Sequence, residues 1–239
     1  MGSQPIDHLA ALRHEGAAYA DVLAHAALSG EAGLASPVQC CGDWTLRDLT
    51  EHLGAVHRWA ARAVRTGERL GDTDPLPVMD AAELLEWFRT GVADLVRDLA
   101  DPDQPCRTLV GAGTAAWWQR RQALETAVHR LDAQRAVGAA ATINPALAAD
   151  GVGEVLDVMF PRQVRLERAQ MPTHGLELVA DDVQQRWQLG SGDVVATVSG
   201  SAQELLLLLW RRMSVGDAAL SIDGDPAEAA AVLDRQLTP

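Results

Sequence analysis

The sequence contains no lysine; all twenty of its cationic side chains are arginine. That excludes Schiff-base chemistry and the lysine-bearing phosphate loop. The arginines are outnumbered by 33 acidic residues, and the formal net charge of −13 argues against a nucleic-acid partner, which needs clustered cations. Long apolar runs are also missing. The longest, residues 205–210, falls far short of the roughly 18 residues of a membrane span and reads as a core element. The first residues, Met1-Gly-Ser-Gln-Pro5, lack a basic region followed by an apolar stretch, so a cytoplasmic rather than a secreted protein is expected. Cysteine is scarce too. Cys40, Cys41 and Cys106 are an odd number with an adjacent pair, unlike a disulfide framework, and read as buried or idle thiols.

At 239 residues the chain is long enough for one large domain or two smaller ones. Its first half reads as four helices, near residues 6–28, 45–65, 80–99 and 115–135. Thr45 followed by Asp48 resembles a capping box at the start of the second, and Gly67 ends it. The connections, including a Pro- and Asp-rich stretch at 71–77 and another at 101–113, carry no strand signal. Four helices of this length predict a helical bundle over residues 1–140.

After residue 140 the pattern changes. A helix at 146–160 precedes short alternating stretches at 176–180, 183–189 and 194–199, separated by glycines and read as antiparallel strands. Ser201 caps an apolar helix at 201–213, with Glu204 at its third position. A strand at 219–222, a turn, and a helix from Pro226 complete an α+β domain over 141–239. The predicted fold class is therefore α+β, with an N-terminal four-helix bundle and a small α+β domain.

Glu125 and His129 are four residues apart on the fourth helix and project from one face. At about 100° per residue, His52 on the second helix shares a face with Leu49, Val56 and Trp59, which is read as the core stripe, and His57 falls on the outer face. Packed side by side, the two helices would assemble two histidines and a carboxylate, the ligand count of a catalytic zinc site with one open position. Asp132 is placed either to orient His129 or to pair with Arg130 or Arg135 at the surface. On spacing alone a surface Glu–His pair and a core histidine remain open. Trp44, Trp59, Trp117 and Trp118 read as core, with one available to line a pocket.

The stretches Cys41-Gly-Asp-Trp-Thr-Leu-Arg-Asp-Leu-Thr-Glu-His52-Leu and Trp118-Gln-Arg-Arg-Gln-Ala-Leu-Glu125-Thr-Ala-Val-His129-Arg-Leu-Asp132 together resemble the mycothiol-dependent maleylpyruvate isomerase family of DinB-like metalloenzymes, which is actinobacterial. Val198-Ser-Gly-Ser-Ala-Gln-Glu-Leu-Leu-Leu-Leu-Leu-Trp210-Arg-Arg, followed by Ile222-Asp-Gly-Asp, resembles that family's second domain, similar in shape to sterol-carrier proteins. The resemblance implies a divalent metal, usually zinc, held by His52, Glu125 and His129, with mycothiol as a thiol cosubstrate. It also suggests a functional arginine near Arg212; on sequence alone Arg211 and Arg212 equally suit the C-terminal end of a helix. Arg121, one turn before Glu125, is a second candidate for holding an anion. Where the family often has histidine before the glutamate, this chain has Leu124. That leaves the expected ligands intact and weakens the case for maleylpyruvate itself as substrate.

The resulting expectation is a metal-dependent isomerase or S-transferase acting with a thiol on a small electrophilic, carboxylate-bearing molecule, as a monomer or homodimer without nucleic-acid or membrane partners. Thiolate addition to an activated double bond would leave a rotatable single bond, and elimination would return the trans alkene. Two other classes stand beside it: a thiol-independent metalloenzyme of a natural-product pathway (hydrolase or cyclase), and a non-catalytic metal-binding regulator.

Overall fold

Asp7 caps the first helix, α1 (His8–Ala27), by accepting from the Ala10 amide, and a short α2 (Glu31–Leu34) follows. The computed structural model describes residues 5–68, 71 and 75–239, so the expected 71–77 loop and the extreme N-terminus lie partly outside the described residues. Helix α3 (Leu46–Thr66) starts at the expected capping box of Thr45 and Asp48 and stops at Gly67, whose φ of 66° is left-handed. A second capping box, Asp80 with Glu83, opens α4 (Ala81–Asp98). These local signals explain why four long helices were readable.

The 101–113 connection departs from expectation. It holds an antiparallel hairpin of β1 (Pro105–Thr108) and β2 (Gly111–Thr114), with Thr108 paired to Gly111. Four-residue strands rich in Gly, Ala, Thr and Cys show too little apolar alternation to be seen in sequence; only Cys106 points inward. The hairpin leads directly into α5 (Ala115–Ala136).

Helices α1, α3, α4 and α5 share one core, in which Tyr19, Leu23, Leu49, Leu53, Leu84, Phe88 and Ala133 are buried together. Helix α5 is buried on almost every side although it carries Arg121, Gln122, His129, Arg130 and Asp132. Buried polar groups of this kind are stable only when paired. Arg130 shows how: its guanidinium grips Glu15 of α1 and also donates to the Thr142 carbonyl at 2.8 Å. Replacing it strands a buried carboxylate. Arg130→Met is therefore expected to cost about 3–5 kcal/mol, read as a lower urea midpoint.

The chain divides after Thr142, and Ile143 begins a second compact unit. Here α6 (Pro145–Glu154) passes through a π-helical turn, Val155–Met159, into α7 (Phe160–Arg165). The helix thus continues past Pro161, which directly follows the π-helical turn, where the regular hydrogen-bond ladder is already interrupted. Strands β3 (Gly175–Ala180), β4 (Gln185–Leu189), β5 (Val194–Gly200) and β6 (Ser221–Gly224) form one sheet in the order β4-β3-β5-β6. The expected all-antiparallel arrangement is wrong at one place: β3 and β5 run parallel. The β3–β4 hairpin reverses the chain once, and β5 reverses it again to pair on the other edge of β3, where it must point the same way. Helix α8 (Ala202–Leu209) begins at the Ser201–Glu204 capping box and ends earlier than expected, because Arg211 adopts a φ of 58°. Helix α9 (Pro226–Leu233) follows β6. No helix among the described residues is long and apolar enough to cross a membrane.

Candidate metal centre

Helix α3 presents two histidines, and their environments are the reverse of the sequence expectation. His57 is completely buried, whereas the His52 side chain keeps 37% of its surface. The true core stripe is Leu46, Leu49, Leu53, Ala60 and Val64, and His57 lies one turn beyond Leu53 on that stripe. The Val56–Trp59 face, read as core, is only half-buried. His57 is accommodated by the Thr126 hydroxyl, 2.9 Å from its Nε2, while its Nδ1 has no partner among the described residues. Burial pushes the His57 imidazole down to about 3, so it is neutral at physiological pH.

Turning His52 away from the core brings it to Glu125 and His129 of α5. The Glu125 Oε1 atom stands 3.7 Å from His52 Nε2 and 3.3 Å from His129 Nε2, and the two imidazole centroids are 5.5 Å apart. One ligand atom from each residue falls within 4.8 Å of the others. Two donors each about 2.05 Å from a tetrahedral zinc are separated by about 3.4 Å, so these spacings suit a single small cation.

The surroundings orient each donor. Glu125 Oε2 is held by the Arg121 guanidinium one turn earlier, which leaves Oε1 facing both histidines. Arg121, a candidate for holding an anionic substrate, is 4% exposed and engaged with Glu125. Asp132 is buried; its Oδ2 lies 3.0 Å from His129 Nδ1, directing His129 Nε2 toward Glu125. The surface pairing considered for Asp132 is thereby overturned. Trp44, 36% exposed, sits beside His52 with centroids 5.0 Å apart, so it belongs to the site rather than to the core.

Protonation follows from this packing. Burial alone would raise the Glu125 carboxyl, but Arg121 and the two imidazoles outweigh it and hold Glu125 well below the usual carboxylate range. Burial would lower His129, and here Asp132 and Glu125 outweigh it, raising the imidazole to about 9. A cation bound at His129 Nε2 must therefore displace a proton, which couples its uptake to pH.

Among the described residues a second group also offers three clustered donors: Cys40, Cys41 and Asp132. The two adjacent cysteines are half-buried thiols, and Cys40 Sγ donates to Asp132 Oδ1 at 3.1 Å. The partner of Cys40 is 92 residues away, a separation that no local pattern reveals. Arg212 belongs to the second unit, just past α8, where it donates to the Trp210 carbonyl at 2.8 Å. Leu124, the residue before Glu125, is buried.

The first unit matches the family model described as the mycothiol maleylpyruvate isomerase N-terminal domain over residues 9–134, and the MDMPI C-terminal domain model matches residues 146–231. A comparison with curated proteins found no match. Among solved structures, the chain is similar to a mycothiol-dependent maleylpyruvate isomerase at 16% identity, with a TM-score of 0.67 over 92% of this chain and 93% of that one. It is also similar to a histidine-to-alanine mutant described by the same enzyme name, at 17% identity and a TM-score of 0.62, covering 84% and 87% of the two chains. At these identities the structural likeness speaks for the fold, and the two domain models, in order along the chain, speak for descent. The chain belongs to the mycothiol-dependent maleylpyruvate isomerase family.

Proposed function

We propose that this protein is a metal-dependent enzyme that uses mycothiol as a thiol cosubstrate. It isomerises, or transfers the thiol to, a small electrophilic substrate bearing a carboxylate. In this reading residues 1–140 are a DinB-like four-helix bundle that carries the metal, and 141–239 are the α+β domain. The observation that carries the proposal is the convergence of His52 Nε2, Glu125 Oε1 and His129 Nε2. Two imidazoles and one carboxylate suit zinc and leave one coordination position for a substrate.

The residues around the three donors have definable tasks. Arg121 keeps Glu125 anionic at neutral pH and fixes which oxygen faces the histidines. Asp132 accepts from His129 Nδ1–H, which commits Nε2 to be the donor toward the site. The half-exposed His52, beside Trp44, marks the side open to incoming molecules. A divalent metal held there supplies acidification of a thiol, so that the cosubstrate reacts as a thiolate at neutral pH. Arg212 is the candidate for binding the substrate carboxylate.

The test is turnover of an activated, carboxylate-bearing cis alkene with mycothiol present and with every low-molecular-weight thiol removed. Activity is expected only with the thiol; a full rate without it would assign the protein to the thiol-independent metalloenzymes. Arg212→Ala is expected to slow turnover on the order of a hundredfold with metal content unchanged, the scale of losing one preorganised charge contact. An arginine that merely terminates α8 would lower stability and leave turnover per folded molecule intact.

A further inference from the structure

We propose that Cys40, Cys41 and Asp132 form a second cation site, selective for soft divalent metals. The proposal is independent of whether His52, Glu125 and His129 bind metal, because it uses different ligand atoms. Its thiols lie on a turn that the backbone has already closed. Pro37 and Thr45 form an isolated antiparallel bridge, and Val38 N–H donates to the Trp44 carbonyl at 2.8 Å. Within that turn Cys41 N–H donates to the Val38 carbonyl, and Gly42 takes a left-handed φ of 64°. Both thiols are thereby held next to a carboxylate of α5.

The spacing fits one ion. The Cys40 and Cys41 sulfurs are 4.0 Å apart. Two thiolates each about 2.3 Å from a tetrahedral zinc-like ion stand about 3.8 Å apart. Cys40 Sγ is 3.1 Å from Asp132 Oδ1, and one donor atom of each residue lies within 4.8 Å of the others. A sulfur and an oxygen on such an ion are separated by about 3.6 Å, so small side-chain shifts suffice. Two sulfur donors select zinc, cadmium or cobalt over magnesium and calcium, which require oxygen.

Binding is balanced by proton release. A divalent ion replaces the protons of both thiols, and the two thiolates with the Asp132 carboxylate leave a site of net charge −1. The Cys40-to-Asp132 hydrogen bond is exchanged for a bond from each to the metal. Asp132 is also the partner of His129, through its other oxygen. One buried carboxylate thus links the two groups of donors, and an ion on Oδ1 tethers the turn before α3 to α5.

The experiment is a cobalt(II) titration of the full chain, reduced with a non-chelating phosphine and followed by absorption. Sulfur-to-cobalt charge transfer in the near ultraviolet reports thiolate ligation, to which histidine and carboxylate ligands do not contribute. The band is expected in the unaltered chain and in His52→Ala, and is expected to be lost in Cys40→Ser and in Cys41→Ser, with Asp132→Asn weakening the ion's binding. Serine is nearly isosteric at these half-buried positions, and circular dichroism of each variant verifies its fold. Absence of the band in the unaltered chain, or its persistence in both serine variants, overturns the site. Loss in His52→Ala with retention in the serine variants would place any thiolate ligation elsewhere and overturns it equally.

Discussion

His52→Ala, Glu125→Ala and His129→Ala are each expected to lose about one equivalent of bound divalent metal relative to the unaltered chain, measured by elemental analysis of untagged protein. The effect is near all-or-none because two remaining donors hold a cation far more weakly than three. His57→Ala is the control. It lies on the same helix, but its ring is buried against Thr126 and Phe88 and is not one of the converging donors. It should keep its metal and lose stability instead, on the order of 2–4 kcal/mol for an emptied core position. Asp132→Asn should fall between these extremes: the metal binds roughly 10–100-fold more weakly, since the histidine loses its anionic partner rather than its place. Full retention of metal in all three ligand variants would remove the site.

Acid sensitivity below about pH 6.5 is the second large effect expected, and His57 is its main source. In the unfolded chain this histidine takes up a proton near its ordinary value of 6.5; in the fold, burial depresses it to about 3. Between those values the unfolded state binds more protons, so stability falls as pH falls. The full difference, on the order of 5 kcal/mol, accrues only if the fold persists to the lower value. Glu125 acts in the same direction, because its lowered carboxyl contributes stability above its ordinary range that is lost on acidification. His129 acts oppositely in chelated protein: raised to about 9, it contributes stability below 6.5 that disappears as pH rises through 9. His57→Leu removes the first of these, and the Thr126 hydroxyl keeps its 2.6 Å bond to the Gln122 carbonyl. Urea midpoints of chelated protein across this pH range should show a flatter acid limb in the variant; identical limbs would mean that His57 is not the titrating group.

What was legible in sequence was local. The Thr45–Asp48 and Ser201–Glu204 boxes announced their helices, and the four-residue spacing of Glu125 and His129 placed both on one face. The errors were about choices between faces and about distant partners. Helix α3 carries two overlapping candidate stripes sharing Leu49, and only packing against α4 and α5 decides that His57 is inside and His52 outside. Likewise, Arg121 resembles any surface cation until it is seen buried against Glu125. The contact of Cys40 with Asp132 and the parallel pairing of β3 with β5 arise from chain paths that no window of residues contains.

The most direct test of the metal-and-thiol account is a thermal-shift titration with mycothiol, made on the metal-loaded protein and repeated after chelation. A ligand that binds only the folded state stabilises it by mass action, by about 2.7 kcal/mol at a hundred times its dissociation constant. The account predicts a concentration-dependent rise in Tm for the metal-loaded chain, and none once the metal is removed or when His129 is alanine. An equal rise with and without metal would show that the thiol binds away from His52, Glu125 and His129, and no rise in either would contradict thiol use altogether.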